Sequence, residues 1–513
     1  MNRTPLIMIG SLIALVAMLW MLSSNERTSQ FDQPILFCAA SNRAVIEEIR
    51  ADYLKEHGRN VLIQYGASHS LLSQIEETLI GDLYLPADDS YLALGREKGL
   101  IDEQIPIARM NPVVAVAKEN PKAIETFQDL LREDVRTVQA NPDAAAIGKL
   151  TRKLLTESGL WQDLDQATNA YRDTVTSAAN DLLIGAADAA IVYDAVLHTY
   201  PDLEFVKIPE LEPASAMIAV GVIRSTKQPQ AALHFARYLS AHDRGLQHYE
   251  RHGFEVSDGD QWSDVPELRL YAGSMLRPAI ESTVKAFQQR EGVNVHAVYN
   301  GCGILVENMR AMKTTADRHA GITTDPDLPD AYFACDAEFM DQVPDIFPES
   351  VDVSENELVI LVEKGNPHQI ASLQDLSRPG IRVGVGHEKE CAMGWLTQNA
   401  LREGGIQKEV MANVQVQSST GDLLVNKLKA RALDAAVVYL SDSAGVGDSF
   451  DAVRIQGLDC SIAVQPFAIR PDSPNGQTAS RLFQQICSSE SKGSFAAQGF
   501  RWKFDLSDEQ ADD

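Results

Sequence analysis

The sequence predicts an α/β protein made of two tandem copies of one unit, preceded by an N-terminal transmembrane helix. Short apolar strand patterns alternate with amphipathic helix patterns through most of the 513 residues, and this alternation is typical of layered α/β folds. Matching sequence phrases recur 246 residues apart, and an almost unbroken apolar stretch lies near the N-terminus. We therefore divide the chain into an N-terminal segment (1–30), a first domain (31–256) and a second domain (257–513).

The apolar stretch from Pro5 to Leu22 is long enough to cross a membrane, because a helix over it spans roughly 27 Å at about 1.5 Å per residue. A cleaved signal peptide is the alternative, but its apolar core usually has ~7–15 residues and ends at small residues. The segment Leu22-Ser23-Ser24 matches that pattern poorly. With Arg3 on the leading side, we expect the rest of the chain to be periplasmic or extracytoplasmic and anchored to the inner membrane.

The composition excludes several classes of protein. The chain carries 45 Lys+Arg against 72 Asp+Glu, a net charge of −27, and nucleic acids are bound by clustered Lys and Arg, so we expect no nucleic-acid partner. Hydrophobic residues make up 45% and charged residues 23%, which is typical of a globular chain and not of a disordered scaffold. The six cysteines are too sparse for a disulfide framework and form none of the close pairs of a zinc site. We therefore predict neither disulfide bridges nor a metal centre.

Within the first copy, the predicted elements alternate between strand and helix. Their order is a strand at 35–39, a helix from 45 to a stop at Gly58, a strand ending at Tyr65, a helix at about 71–80 and a strand at 83–85. This alternation predicts mainly parallel sheets. In such sheets ligands bind beyond the carboxyl ends of the strands, where loops lead into helix N-termini.

The second copy repeats the phrases of the first in the same order. Tyr193 and Tyr439 each end an apolar strand pattern that follows Asp-Ala-Ala, and they lie 246 residues apart, as do Gly148 and Gly394. Nearer the start the offset is 233, from Ser41 to Ser274, so the second copy carries an insertion. The polar segment 313–329 is the candidate for it. The boundary between the copies falls in the turn-rich acidic segment 257–261.

Polar side chains stand at the ends of several predicted strands. Ser41 and Ser68 follow the first two strands at turns that lead into helices, and the simplest interpretation of each is a helix N-cap. The alternative is that their hydroxyls, beside backbone N–H groups at the positive end of a helix dipole, bind an anion. Tyr193 and Tyr439 are likewise either core residues or ligand contacts.

Taken together, these phrases resemble the periplasmic molybdate-binding proteins, the solute-binding components of ABC importers for tetrahedral oxyanions. The resemblance covers nearly the whole chain after the apolar stretch, twice over. In the first copy it is carried by Ala39-Ala40-Ser41, Gly66-Ala67-Ser68, Asp82 to Asp88, Lys118 to Pro121, Ile147-Gly148 and Ala189 to Tyr193. In the second copy it is carried by Tyr271 to Ser274, Tyr299 to Gly303, Phe333 to Asp336, Lys364 to Pro367, Met393-Gly394 and Ala435 to Tyr439.

The resemblance implies two copies of the two-lobed periplasmic-binding-protein fold of type II, with crossover strands near 112–116 and 218–222. It implies a protein that captures molybdate or tungstate and delivers it to an ABC transporter permease, with no catalysis and no cofactor. The implied contacts in each copy are two serine hydroxyls, two backbone N–H groups and a tyrosine hydroxyl. These positions are Ser41, Ser68, Ile147, Val175 and Tyr193 in the first copy, and Ser274, Cys302, Met393, Gly421 and Tyr439 in the second.

The second copy departs from this pattern at Cys302, where a thiol replaces a hydroxyl donor. A thiol is a weak donor, and the loss of one charge-assisted hydrogen bond costs about ten- to a hundredfold in affinity. We therefore expect the first copy to be the better oxyanion site. Cys302, Cys335 and Cys391 are either three small buried residues or a thiol-lined cleft for a soft metal or another ligand.

Two further functions stay open from the sequence. One is a thiol-dependent enzyme with Cys302 as nucleophile and His387 as base, although the first copy has Ser68 and Asn141 at those positions. The other is a membrane-tethered sensor or scaffold that keeps the binding fold without transport.

Overall fold

The alternating apolar and amphipathic segments form two α/β units in the computed structural model, which describes residues 33–318 and 328–504. The division between the units falls between Trp262 and Ser263. The predicted membrane anchor lies outside the described residues, as does part of the predicted insertion. Among the helices that are described, none is both long and apolar enough to cross a membrane.

The first unit contains eleven strands and eight α-helices within its described residues. The strands are β1 (Ile35–Ala39), β2 (Leu62–Gly66), β3 (Leu83–Leu85), β4 (Ile101–Met110), β5 (Pro112–Ala117), β6 (Thr137–Ala140), β7 (Thr168–Arg172), β8 (Ala189–Tyr193), β9 (Leu203–Val206), β10 (Ala216–Ile223) and β11 (Glu255–Val256). The helices are α1 (Arg43–His57), α2 (Ser68–Thr78), α3 (Ser90–Glu97), α4 (Ala146–Glu157), α5 (Trp161–Ala167), α6 (Val175–Leu183), α7 (Pro229–Ser240) and α8 (Gly245–Arg251).

These elements form two lobes, each built on its own sheet. Lobe 1 has six strands in the order β11-β4-β10-β3-β1-β2, and lobe 2 has five in the order β7-β6-β8-β5-β9. The chain passes from lobe 1 to lobe 2 at Asn111, between β4 and β5, and returns between β9 and β10. At the first crossing Asp194 Oδ1 accepts a hydrogen bond from the Asn111 N–H at 2.9 Å.

Apolar spacing explains the first elements of lobe 1. The strand β1 is buried along most of its length, and α1 buries Val45, Ile46, Ile49 and Tyr53 on one face. Gly58 ends that helix with a φ of 65°, a left-handed conformation that glycine adopts without strain. The predicted helix stop at this residue is therefore confirmed.

The prediction of mainly parallel sheets is wrong. The parallel pairs lie at one side of each sheet, β1 with β2 and β3, and β6 with β7 and β8. The crossover strands β4, β5 and β10 pair antiparallel with their neighbours, because the chain leaves each lobe and returns across it. The sheets are mixed, yet the parallel pairs still bring the carboxyl ends of β1, β2 and β3 to one edge.

The second unit repeats this order with ten strands and eight α-helices in its described part. The strands are β12 (Glu267–Gly273), β13 (Asn294–Asn300), β14 (Ala331–Phe333), β15 (Val351–Glu363), β16 (Val383–Gly386), β17 (Val414–Ser418), β18 (Ala435–Tyr439), β19 (Phe450–Arg454), β20 (Ile462–Ile469) and β21 (Arg501–Trp502). The helices are α9 (Arg277–Glu291), α10 (Cys302–Arg318), α11 (Ala337–Met340), α12 (Ala392–Glu403), α13 (Gln407–Asn413), α14 (Gly421–Lys429), α15 (Gly476–Ile486) and α16 (Ser489–Ala497).

One long strand, β15, takes the place of the two strands β4 and β5 of the first unit. Its first half pairs with β20 and its second half with β18 and β19, so the two lobe sheets are hydrogen-bonded into one path. That path runs β13-β12-β14-β20-β15-β18-β16-β17. In the first unit Pro112 stands at the corresponding break, and proline has no N–H to continue the ladder.

A disulfide joins Cys302, the first residue of α10, to Cys335, which follows β14. The prediction that no disulfide forms is therefore wrong. Parallel pairing of β12 with both β13 and β14 brings together two cysteines that are 33 residues apart in sequence. Gly273 provides the room, because a Cβ there would lie 2.8 Å from Cys335 Sγ and 3.2 Å from Cys302 Sγ.

Replacing the two cysteines with their first-copy counterparts, Cys302→Ser with Cys335→Ala, should lower the free energy of unfolding of the second unit by about 3–4 kcal/mol, because the crosslink restricts the unfolded chain. Denaturant unfolding of the full chain measures this. A dithiol reductant should lower the wild-type midpoint to that of the variant and leave the variant unchanged. Recovery of the two cysteines in separate peptides after unreduced proteolysis would contradict the bridge.

Candidate functional site

In the first unit a small cavity lies between the lobes, beyond the carboxyl ends of the strands. The cavity has a volume of about 20 Å³. This is little more than one water molecule needs, so the cavity suits a compact ion and not a sugar or a peptide. Its lining includes every first-copy contact that the resemblance implies, Ser41, Ser68, Ile147, Val175 and Tyr193. The other lining residues are alanines, one glycine and one threonine, so no charged side chain lines the cavity.

Ser68 is the first residue of α2 and points its hydroxyl into the fold of lobe 1. Its Oγ accepts a hydrogen bond from the Ala87 N–H at 3.1 Å, and its carbonyl accepts one from the Tyr84 hydroxyl at 2.7 Å. Ala67, not Ser68, is the N-cap of the helix. Because the oxygen already accepts from Ala87, the hydroxyl hydrogen can be donated to a ligand in the cavity.

Ser41 lies in the short 3₁₀ turn after β1 and is 8% exposed. Its Oγ accepts a hydrogen bond from the Asn42 side-chain amide at 3.4 Å. The side-chain oxygen of Asn42, Oδ1, in turn accepts a hydrogen bond from the Tyr249 hydroxyl at 3.2 Å. Ser41 therefore has the same arrangement as Ser68, with an accepting oxygen and a hydrogen to donate. The N-cap interpretation is wrong for both serines.

Two helices of lobe 2 begin at the cavity. Ile147 is the second residue of α4 and Val175 the first of α6, and N–H groups in a first turn have no partner within the helix. Thr174 Oγ1 accepts from the Ser177 N–H at 3.1 Å and so caps α6, which leaves the Val175 N–H for a ligand. Sequence analysis did not single out Thr174, although a threonine before a helical pattern is an N-cap signal.

Gly148 sets how closely α4 approaches the preceding loop. A Cβ at Gly148 would lie 2.4 Å from the Ala140 carbonyl oxygen, and one at Gly394 would lie 2.3 Å from the His387 carbonyl oxygen. Any side chain at these positions would push the helix away from the sheet. The repeated glycine therefore positions the first-turn N–H groups in both units.

Tyr193, the last residue of β8, is fully buried, and its hydroxyl has no hydrogen-bond partner within the described residues. Burial raises the pKa of Tyr193 well above its ordinary value, and the nearby Asp88 adds to this effect. The hydroxyl is therefore a neutral donor at any physiological pH. A buried hydroxyl without a hydrogen-bond partner lowers the stability of the fold. The presence of this hydroxyl therefore points to a ligand that accepts its hydrogen bond.

The two lobes of the first unit are closed on the cavity. The His69 N–H of lobe 1 donates to the Ala144 carbonyl of lobe 2 at 3.2 Å. Beside it, the Lys149 ammonium lies 4.8 Å from the centre of the Tyr91 ring. The second unit makes the matching bond, from the Gly303 N–H to the Glu390 carbonyl at 3.0 Å.

The predicted contacts of the second unit occupy the same places in the fold. Ser274 follows β12, Cys302 begins α10, Met393 is the second residue of α12, Gly421 begins α14 and Tyr439 ends β18. The Tyr439 hydroxyl, like that of Tyr193, has no partner in the described part of the chain. Burial also raises the pKa of Tyr439 well above its ordinary value.

The Cys302 sulfur is neither a hydroxyl-like donor nor a nucleophile, because it is bonded to Cys335. The disulfide is an addition to the hydrogen bond that joins Ser68 to Ala87 in the first unit, since the Cys335 N–H still donates to Cys302 Sγ at 3.1 Å. The thiol enzyme with His387 as base therefore lacks its nucleophile in this structure, and a cleft lined by three thiols is reduced to the single thiol of Cys391. That thiol is buried, and burial raises its pKa to about 12.

Asp442 is a second difference, and sequence analysis missed it. It occupies the 3₁₀ turn after Tyr439, where the first unit has Val196. A Cβ on Gly421 would lie 2.1 Å from Asp442 Oδ2, so the carboxyl group fills the space that the Val175 side chain takes in the first unit. The alignment of the two copies could have revealed it, because the acidic Asp442 stands where the first copy has the apolar Val196.

Comparisons with known proteins agree with this architecture. The family model for bacterial extracellular solute-binding proteins matches twice in tandem, over residues 35–255 and 268–501. The molybdate-binding protein ModA of Mycobacterium tuberculosis (strain H37Rv) is 27% identical over 210 residues, covering 40% of this chain and 78% of that protein. A binding protein of Haemophilus influenzae is 25% identical over 220 residues, covering 43% of this chain and 89% of that protein.

Among solved structures, the periplasmic molybdate-binding protein of Azotobacter vinelandii is similar, with 17% identity and a TM-score of 0.40 over 44% of this chain and 100% of that one. The two matches to the family model span most of the sequence, once for each unit. The chain therefore belongs to the bacterial extracellular solute-binding protein family, in two tandem copies.

Proposed function

We propose that the first domain binds a tetrahedral oxyanion, molybdate or tungstate, outside the cytoplasm and delivers it to the permease of an ABC importer. The observation that carries this proposal is the donor set of the cavity between the lobes. Two serine hydroxyls, one tyrosine hydroxyl and the first-turn N–H groups of two helices all face one small space, and no acceptor carboxylate lines it.

Such a site can hold a dianion without any lysine or arginine. Fixed neutral donors and the positive ends of helix dipoles replace the water around the ion, and they need no reorganisation when it binds. The chain's net charge of −27 is therefore compatible with anion binding. It should slow the approach of the anion and so limit the association rate.

Several similar proteins support the choice of anion, since their names state that they bind molybdate. Molybdate and tungstate are fully ionised at neutral pH, so they match a cavity that offers donors only. In this proposal residues 1–30 anchor the protein to the inner membrane, which keeps the captured ion near the permease.

The Ser68→Ala variant should bind molybdate about ten- to a hundredfold more weakly, because it removes one hydrogen bond to a charged ligand. Calorimetric titration of the full chain in mild detergent with molybdate, tungstate and sulfate measures this. The exposed Ser70→Ala on the same helix is the matched control and should bind as the wild type does. Unchanged affinity in Ser68→Ala would remove the first-domain site from the proposal.

The Tyr193→Phe variant should have opposite effects on stability and on binding. Without ligand, removing a buried hydroxyl that lacks a partner should raise the free energy of unfolding by up to about 1 kcal/mol. Molybdate affinity should fall at least tenfold. Thermal unfolding with and without molybdate tests both effects, with the partly exposed Tyr171→Phe as control. A loss of stability in the ligand-free variant would indicate a purely structural tyrosine.

A further inference from the structure

The second domain has one more carboxyl group near its tyrosine than the first domain has. Asp88 near Tyr193 has a counterpart in Asp336 near Tyr439, whereas Asp442 has none. Asp442 follows Tyr439 by three residues, at the position of Val196 in the first domain. Its Oδ2 accepts the backbone N–H of Tyr439 at 3.0 Å. A carboxylate has room for further hydrogen bonds on its other lone pairs.

Packing against Gly421 places this carboxyl group where the Val175 side chain lies in the first domain. A Cβ on Gly421 would lie 2.1 Å from Asp442 Oδ2, and Val175 lines the first-domain cavity. The carboxyl group also raises the pKa of Tyr439 and Cys391. The first-domain counterparts of these two residues, Tyr193 and Ala145, line the same cavity.

The site also keeps donors that have no partner among the described residues. Tyr439 is 3% exposed, and none of the described residues bonds to its hydroxyl. The first-turn N–H groups of Met393 and Gly421 have no acceptor within their helices. The hydroxyl of Ser274 stands at the position of Ser41. The second site therefore combines several donors with one acceptor.

From this combination we propose that the second domain binds a tetrahedral oxyanion that retains a proton, hydrogen phosphate or arsenate, whose O–H donates to Asp442. A fully ionised oxyanion such as molybdate or sulfate has no proton to give and would face the carboxylate directly. An acceptor in a binding site selects for a ligand that carries a hydrogen-bond donor at that position. This inference rests on the proposed function in one respect, because it takes the position of the second site from the site proposed for the first domain.

The titratable groups around Asp442 set how this selectivity changes with pH. Asp422 on α14 raises the pKa of Asp442, and Asp336 raises that of Tyr439. Burial raises the pKa of Asp442 to about 7 and that of Asp336 to about 6. Tyr439 and Cys391 stay neutral in this range, because burial raises the pKa of both.

Below its pKa, Asp442 carries a proton that it can donate to a fully ionised oxyanion, and above it the carboxylate can only accept. We therefore expect the preference of the second site for phosphate over molybdate to increase from pH 6 to pH 8. Calorimetric titration of the full chain in mild detergent with each anion, at both pH values, measures the change. A preference that falls as the pH rises would contradict the assigned role of the carboxylate.

The assignment to the second domain is tested with inorganic phosphate at pH 8 and three variants. Asp442→Asn replaces the carboxylate with a group of the same shape, and phosphate affinity should fall about ten- to a hundredfold. Asp442→Val restores the first-domain residue and should do the same. Asp448→Asn removes an exposed negative charge from the same loop and is the matched control, with affinity expected to equal that of the wild type.

The Ser68→Ala variant distinguishes phosphate binding by the first domain from phosphate binding by the second domain in the same experiment. Phosphate binding that survives Ser68→Ala and is lost in Asp442→Asn supports the inference. Phosphate binding lost in Ser68→Ala alone would assign phosphate to the first domain, and no phosphate binding by the wild type would mean that Asp442 closes the second site from within. Either result overturns the inference. Failure of the wild type to bind molybdate overturns the proposed function instead and leaves the phosphate result standing.

Discussion

The donors of this site depend on one constraint, that the first N–H groups of a helix have no partner within the helix. In each lobe the parallel strands end at the same edge, so the helices that follow them begin side by side. The N–H groups of Ile147 and Val175 from lobe 2 therefore face Ser41 and Ser68 from lobe 1. In the proposed function a small anion satisfies these groups together, so an acidic chain can hold an anion without a cation.

The groups around this edge orient the serine hydroxyls by donating to their oxygens. Ser68 accepts from the Ala87 N–H and Ser41 accepts from the Asn42 amide, so each hydroxyl keeps its hydrogen available for a ligand. Tyr193 offers its hydroxyl without a partner in the described residues, and burial keeps it protonated. The first domain thus presents donors with fixed directions, and this is the condition for selecting a fully ionised ligand.

The second domain keeps the backbone of this site and changes its chemistry through two sets of matched replacements. In each set a glycine replaces a larger residue, and this leaves room for the changed polar side chain beside it. The first set exchanges Ala40, Ser68 and Ala87 for Gly273, Cys302 and Cys335. The second exchanges Val175 and Val196 for Gly421 and Asp442. Because the glycine and the new polar side chain are in contact in each set, the replacements indicate a site remodelled as a unit.

The sequence by itself determined the α/β class and the duplication, because strand patterns, helix patterns and repeated phrases are local signals, and its resemblance to the molybdate-binding proteins supplied the five cavity residues of the first copy. It did not determine which cysteines pair, since Cys302 and Cys335 meet only through the register of two parallel strand pairs. Nor did it single out Asp442, because only the tertiary structure shows that it packs against Gly421. The direction of the sheets and the hydrogen bonds that orient the serines also required the tertiary structure, because they join residues far apart in the chain.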